Sequence, residues 1–186
     1  MNNLPVSVTA LTPVRAEPRD DAEQVTQALA GEPLWVEEER DGWLRVRTAY
    51  GYPGWVQAAG GADVLAAARA YLGTRYEWGG MTTAGIDCSG LVHMAFRRLG
   101  ILVPRDSWQQ ETAGEPVAGN DVGPGDVRCY DRHVAFDAGG GKIVHATGRA
   151  GVRAVVEEPE PPQLRAALRT CRRFSPAFGA AHAHSI

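Results

Sequence analysis

HVAFDAGGGKIVH, residues 133–145, is two strand-like apolar runs joined by three consecutive glycines, which reads as a β-hairpin. A turn on Ala138-Gly139-Gly140 pairs residues whose numbers sum to 278, so that Ala135 faces Ile143 and His133 faces His145. Directly opposed residues carry Cβ atoms about 4.5–5.5 Å apart, close enough for two imidazoles to hydrogen-bond and for one to orient the other. The expectation depends on register. A two-residue turn without a bulge changes the sum by one and sends the rings to opposite faces.

Just upstream, DVRCY (126–130) is a third strand-like run, separated from His133 by only Asp131-Arg132. Further upstream lies GIDCSGLVHMAFRRLG, residues 85–100. Its apolar residues Leu91, Val92, Ala95, Phe96 and Leu99 share one face of a helix from Cys88 to Leu99, with Gly100 as its stop and Asp87 as its cap. A cysteine attacks as the thiolate, and the first turn of a helix favours that form through the macrodipole. Cys88 has this position. Cys129 and Cys171 sit within strand-like runs and read as buried apolar thiols. His93 falls nearly opposite the apolar stripe and reads as a surface residue, while His182 and His184 belong to a tail expected to fray after Phe174.

A shorter helix over Val64–Leu72, ended by Gly73, precedes these elements, and GVRAVVEE and RTCRRF follow as expected edge strands on either side of a PEPP break. Helices first and an antiparallel sheet afterwards is an α+β order. The first 60 residues differ in character. Leu34-Trp35-Val36-Glu37-Glu38 and Trp43-Leu44-Arg45-Val46 are short alternating runs broken by turn residues, the pattern of a small all-β barrel. Ala58-Ala59-Gly60-Gly61-Ala62 is a flexible join, which gives domains at 1–60 and 61–176 and a tail at 177–186.

The bulk numbers exclude several classes. A hydrophobic share of 44% and a charged share of 22% are those of a globular chain. The formal charge of -3 and scattered basic residues disfavour nucleic acid. No stretch approaches the roughly 20 apolar residues of a membrane span, and no leader is visible at the N-terminus, so a cytoplasmic location is expected. Three cysteines without CxxC spacing suit neither a disulfide scaffold nor a zinc ribbon, and no cofactor or metal is expected. Composition leaves the oligomeric state open.

YLGTRYEWGG, GIDCSGLV, GILVPRDSWQQ, GPGDV, HVAF and IVHATG occur in this order over residues 64–174, and together they resemble the NlpC-type cell-wall cysteine peptidases. VRAEP, AEQVTQALAGE, DGWLRVRT and GYPGWV over residues 4–58 resemble a bacterial SH3-like domain. The resemblance implies a papain-like α+β domain behind a small all-β SH3-like barrel. It makes Cys88 the nucleophile, His133 the base, His145 the orienting residue and Tyr76 an oxyanion donor with the Cys88 amide.

The pairing of an SH3-like module with DCSG and PRDS resembles the branch of γ-D-glutamyl-L-diamino acid endopeptidases, which release L-Ala-γ-D-Glu from murein stem peptides with a free N-terminal L-Ala. That resemblance implies that Asp87, Ser89 and Tyr52 enclose the L-Ala end, with Ser107 lining the same pocket, Trp78 near it and Asp87 meeting the ammonium. Two features depart from the family pattern. The loop before His133 is short, which implies a more open groove, and RCY stands where an apolar run is usual. The competing readings are a secreted hydrolase of intact wall, a silent binder of wall fragments, and a zinc protein using Cys88, His133 and His145 as ligands.

Overall fold

Alternation of apolar and polar residues builds the N-terminal part of the computed structural model, which describes residues 6–8, 11–29, 31–58 and 61–175. Six strands, β1 (Val6–Ser7), β2 (Thr12–Arg15), β3 (Gln24–Ala28), β4 (Pro33–Arg40), β5 (Trp43–Thr48) and β6 (Pro53–Gln57), form one sheet in the order β1-β4-β5-β6-β2-β3. Val14, Ala28, Leu34, Val36, Leu44, Val46 and Val56 point to a common core, while Trp35 and Glu37 between them stay in solvent. This is a strand-rich unit of its own, and the second unit comprises Gly61–Arg97 and Val103–Phe174.

The second unit begins with helix α1 (Gly61–Arg69), a small hairpin β7 (Met81–Thr82) and β8 (Gly85–Ile86), helix α2 (Cys88–Arg98) and helix α3 (Ser107–Thr112). A sheet follows, made of β9 (Glu115–Val117), β10 (Val127–Tyr130), β11 (His133–Gly139), β12 (Lys142–Thr147), β13 (Ala154–Pro159) and β14 (Leu168–Arg173), with the short helix α4 (Pro162–Ala166) between the last two strands. The strand order is β13-β12-β11-β10-β14-β9. The fold is therefore α+β and papain-like, preceded by a strand-rich SH3-like unit. GVRAVVEE supplies the edge strand β13, as expected. RTCRRF does not form an edge: β14 lies between β10 and β9. Its arginines disguise it, and they are accommodated because Arg173 pairs with Asp126 at 2.7 Å and Arg172 donates to the Glu111 carbonyl at 2.7 Å. The expected tail, with His182 and His184, lies outside the described residues.

Helix α2 anchors the unit. Leu91, Val92, Ala95 and Phe96 are buried, and the Phe96 ring lies 5.6 Å from Phe136 of β11 and 5.3 Å from Phe174. Burying a side chain of this size contributes about 1.5–3 kcal/mol. The helix is held at its start by Asp87, whose Oδ1 accepts the Gly90 N–H at 2.7 Å. Gly90 itself is required by close approach, since a Cβ there would collide with the Gly80 carbonyl oxygen.

RCY, the unusual strand β10, is explained by a buried polar network. Arg128 pairs with Asp137 at 2.6 Å and reaches Glu160 at 3.5 Å, and the Tyr130 hydroxyl donates to Glu160 at 2.8 Å. An arginine is tolerated there because two carboxylates satisfy it. Asp131 and Arg132 form an exposed two-residue connection between paired Tyr130 and His133.

The hairpin register differs from the sequence expectation. Phe136 pairs with Val144 and Asp137 with Ile143, a sum of 280 rather than 278. Gly139 pairs with Lys142, leaving Gly140 and Gly141 as a two-residue turn at φ +60° and +74°, conformations open to glycine and matched to strand twist. That turn alone would give a sum of 281 and place the histidines on opposite faces. A bulge at Ala138 removes one from the sum. The bulge is pinned by Asp137, whose Oδ1 accepts the Gly139 N–H at 2.8 Å.

Candidate active site

The even register puts His133 and His145 on one face as diagonal neighbours, with Ala135, by the same count, opposite His145. Their ring centroids are 5.1 Å apart, and His133 Nε2 lies 2.8 Å from His145 Nδ1. The imidazole pair expected from the sequence is present, reached across the diagonal rather than straight across. His133 is steadied from its other side by the Tyr130 ring at 5.9 Å. Burial, with His145 adding to it, pushes the His133 pKa down from 6.5 to about 3.

Cys88 opens α2 with 7% of its surface exposed. The Val134 amide, from the residue after His133, lies close enough to the sulfur to favour its charged form, which sets the helix start near the beginning of β11. The expectation that the helix start lowers the thiol pKa meets a larger opposing effect. Burial pushes it up and Asp87 adds to that, while amide donation from Val134, Ser89 and Cys88 itself pulls it down. Two buried groups that each resist charge alone are better able to charge together, because proton transfer from thiol to ring creates an opposed pair. Cys129 lacks any such partner, is fully buried, and is pushed up to about 12 by burial.

Tyr76 is half-buried, and a Cβ on Gly148, just after β12, would sit 3.2 Å from its ring. Burial raises its pKa, and Cys88 and Asp87 raise it further, which puts its hydroxyl within their electrostatic reach.

Asp87 is more fully engaged than the sequence suggests. Its two oxygens accept Gly90 N–H at 2.7 Å and Gly79 N–H at 2.7 Å, and Arg105 grips both at 3.0 and 2.9 Å. The Ser89 hydroxyl adds a donor at 3.3 Å and in turn accepts from Arg105 at 2.9 Å. A carboxylate offers about four lone-pair sites, so this bonding does not support Asp87 as a free partner for a substrate ammonium. Burial opposes ionisation, but the Arg105 guanidinium and the two amides outweigh it and hold the carboxyl below its ordinary range. The sequence expectation names Ser107 of PRDS but not Arg105, two residues earlier, whose partner Asp87 is remote in the chain.

Of the remaining expected residues, Ser107 opens α3 and is half-buried, and Trp78 is exposed at 84%. Tyr52 belongs to the first unit, exposed just ahead of β6, with its backbone N–H on Thr48 Oγ1 at 2.9 Å. His93 is not a simple surface residue. It is half-buried with Nδ1 2.8 Å from the Val103 carbonyl oxygen, and burial lowers its pKa. One residue had no sequence signal at all. Glu158 of β13 places Oε1 3.0 Å from His145 Nε2 and Oε2 2.8 Å from Arg149 Nη2. Both ring nitrogens of His145 are thus taken by other side chains, which disfavours the reading of Cys88, His133 and His145 as zinc ligands.

A helix that carries a cysteine at its start, set against an antiparallel sheet that carries paired histidines, is a papain-like arrangement. The chain belongs to the NlpC/P60 family, whose model matches residues 73–169, and the bacterial dipeptidyl-peptidase Sh3 domain model matches residues 14–60. It is 29% identical over 158 residues to a γ-D-glutamyl-L-lysine dipeptidyl-peptidase of Bacillus subtilis, covering 75% of this chain and 53% of that protein. A probable endopeptidase of Mycobacterium tuberculosis is 41% identical over 87 residues, covering 45% of this chain and 23% of its own length. The chain therefore spans about half or less of these relatives. An NlpC/P60 family protein from Bacillus cereus superposes with a TM-score of 0.59 at 25% identity, over 93% of this chain and 64% of that structure.

Proposed function

We propose that the protein is a cysteine endopeptidase that cuts the γ-D-Glu to L-diamino acid bond of murein stem peptides with a free N-terminal L-Ala. The observation that carries this reading is the pairing of His133 Nε2 with His145 Nδ1 at 2.8 Å, on a strand whose next residue, Val134, has its amide near the Cys88 sulfur. The other His133 nitrogen, Nδ1, then takes the thiol proton as Cys88 attacks the γ-carbonyl of the D-Glu residue. The Cys88 amide and the Tyr76 hydroxyl receive the oxyanion. Protonated His133 returns the proton to the departing amine of the diamino acid, and the acyl-enzyme is cleared by water activated at the same ring. Asp87 and Ser89 act mainly by fixing the loop that presents the sulfur, and Ser107 and Trp78 border the acyl-side pocket.

The match to the dipeptidyl-peptidase Sh3 domain model and the similarity to a γ-D-glutamyl-L-lysine dipeptidyl-peptidase support a substrate with a free amine over intact wall. We place this activity in recycling of released peptides within the cytoplasm. Among the described residues no helix is long and apolar enough to cross a membrane. The test is a comparison of free stem peptide, its N-acetylated form and intact sacculi, whose L-Ala amines are blocked. Efficient cleavage of the first is expected, with sacculi left intact and acetylation lowering kcat/KM at least about a hundredfold, equivalent to about 2.7 kcal/mol, to a slow but measurable rate. Clearing of sacculi at a comparable rate would make the protein a wall-lytic hydrolase. Tyr52→Ala tests whether the first unit limits substrate length: admission of N-extended peptides is expected.

A further inference from the structure

His133, His145 and Glu158 lie in a diagonal row across the adjacent strands β11, β12 and β13, the last step following from the pairing of Ile143 with Glu158 and of His145 with Val156. We infer that Glu158 is a positioning residue whose carboxylate fixes the tautomer of His145 and, through it, leaves the Nδ1 lone pair of His133 free to face Cys88. The inference rests on the reading of Cys88 and His133 as nucleophile and base.

Donor and acceptor parity along the row fixes the tautomers. An ionised carboxylate only accepts, and a neutral imidazole has one N–H and one lone pair. Glu158 is kept ionised by Arg149 and by His145 itself, although burial opposes this. His145 Nε2, 3.0 Å from Glu158 Oε1, must therefore carry the hydrogen. His145 Nδ1 is then a lone pair, and the His133 nitrogen 2.8 Å away, Nε2, must be the donor. The remaining His133 nitrogen, Nδ1, is left unprotonated. The opposite tautomers would put a lone pair against the carboxylate and a hydrogen on the nitrogen needed as base.

Two further features keep the relay in this state. His145 is 1% exposed, and burial disfavours its charged form. A doubly protonated His145 would donate from Nδ1 and reverse His133. Arg149 binds the second Glu158 oxygen at 2.8 Å, which limits how strongly the carboxylate can draw a second proton onto His145. The carboxylate thus orients without charging. It also answers the imidazolium that forms on His133 during attack, through two hydrogen bonds.

The experiment compares full-length wild type, Glu158→Leu and Glu158→Gln, using histidine 15N NMR to identify tautomers and steady-state kinetics on L-Ala-γ-D-Glu-L-Lys. In the wild type both His133 and His145 should appear as Nε2–H tautomers. Glu158→Leu, similar in size but without an acceptor, should shift His145 towards Nδ1–H and lower kcat at least about tenfold, the range for lost outer-shell partners, with KM unchanged. Glu158→Gln retains an accepting oxygen and should restore both readouts in large part. An Nδ1–H tautomer on His145 in the wild type would overturn the inference. So would a Leu variant that keeps the wild-type tautomers and kcat, or equal losses in the Leu and Gln variants with tautomers unmoved. A wild type that shows both Nε2–H tautomers but leaves the peptide intact would sink the substrate proposal and support this one.

Discussion

Asp87→Asn separates two roles for the residue that precedes the nucleophile. In the structure Asp87 is 6% exposed, its side chain is 8% exposed against 25% for Arg105, and the two form a two-pronged ion pair. Breaking a buried pair by removing one charge costs about 3–5 kcal/mol. Partial exposure of Arg105 places this pair at or below the lower end, at roughly 2–3 kcal/mol after screening. Asparagine can still accept the Gly90 N–H and cap α2. Its amide hydrogens, however, would confront the Gly79 N–H and the second Arg105 prong, both donors. Urea unfolding of the second unit should therefore show a loss of roughly 2–3 kcal/mol. Turnover should fall by a similar factor on free and N-acetylated peptide, because a displaced nucleophile loop harms every substrate. Arg105→Leu should reproduce the pattern. An Asp87→Asn protein that keeps wild-type stability and loses only the free-amine substrate would instead make Asp87 a direct ammonium ligand.

The remaining predictions concern the histidines and thiols. Cys88→Ala and His133→Ala should each abolish turnover, since nucleophile and base act as a unit, while His145→Ala retains a residue of activity, as peptide assays will show. Iodoacetamide should label Cys88 before Cys129, which is fully buried and pushed up to about 12; peptide mass mapping reads the order. His133 is lowered from 6.5 to about 3 in the folded chain, so below pH 6.5 the unfolded state binds the extra proton. Stability relative to His133→Asn should be complete above that pH and fall as pH drops from 6.5 towards 3, by up to roughly 5 kcal/mol, measured by denaturant titration across pH. Deleting Ala138, the bulged residue, should leave Asp137 opposite Ile143 and so keep the two histidines on one face and in contact, as histidine 15N NMR of the variant will show.

What the sequence disclosed and what it withheld divide along physical lines. Strands β10, β11 and β12 were legible as short apolar runs bounded by turn residues, helix α2 because it buries one periodic face, and Cys88 stood out because Asp87 caps the helix it opens. The register of β11 on β12 was not, because any two of three consecutive glycines can form the turn, and only the Asp137 contact to Gly139 selects the bulged form. The polar, six-residue α3 shows no apolar stripe and was missed; it is specified by a capping box of Asp106 and Gln109. Arg105 and Glu158 escaped notice for a common reason. Each acts on a partner far along the chain, and nothing local tells Glu158 from its neighbour Glu157, which pairs with Arg69 instead.

Whether the protein is a thiol peptidase of this bond specificity is decided by mass spectrometry of the products formed from L-Ala-γ-D-Glu-L-diamino acid tripeptides carrying L-Lys or meso-diaminopimelate. Release of the dipeptide L-Ala-γ-D-Glu together with the free diamino acid is expected from at least one of them, and no product with Cys88→Ala. Intact tripeptides after prolonged incubation, scission at the L-Ala to D-Glu bond, or undiminished product from Cys88→Ala would contradict this assignment.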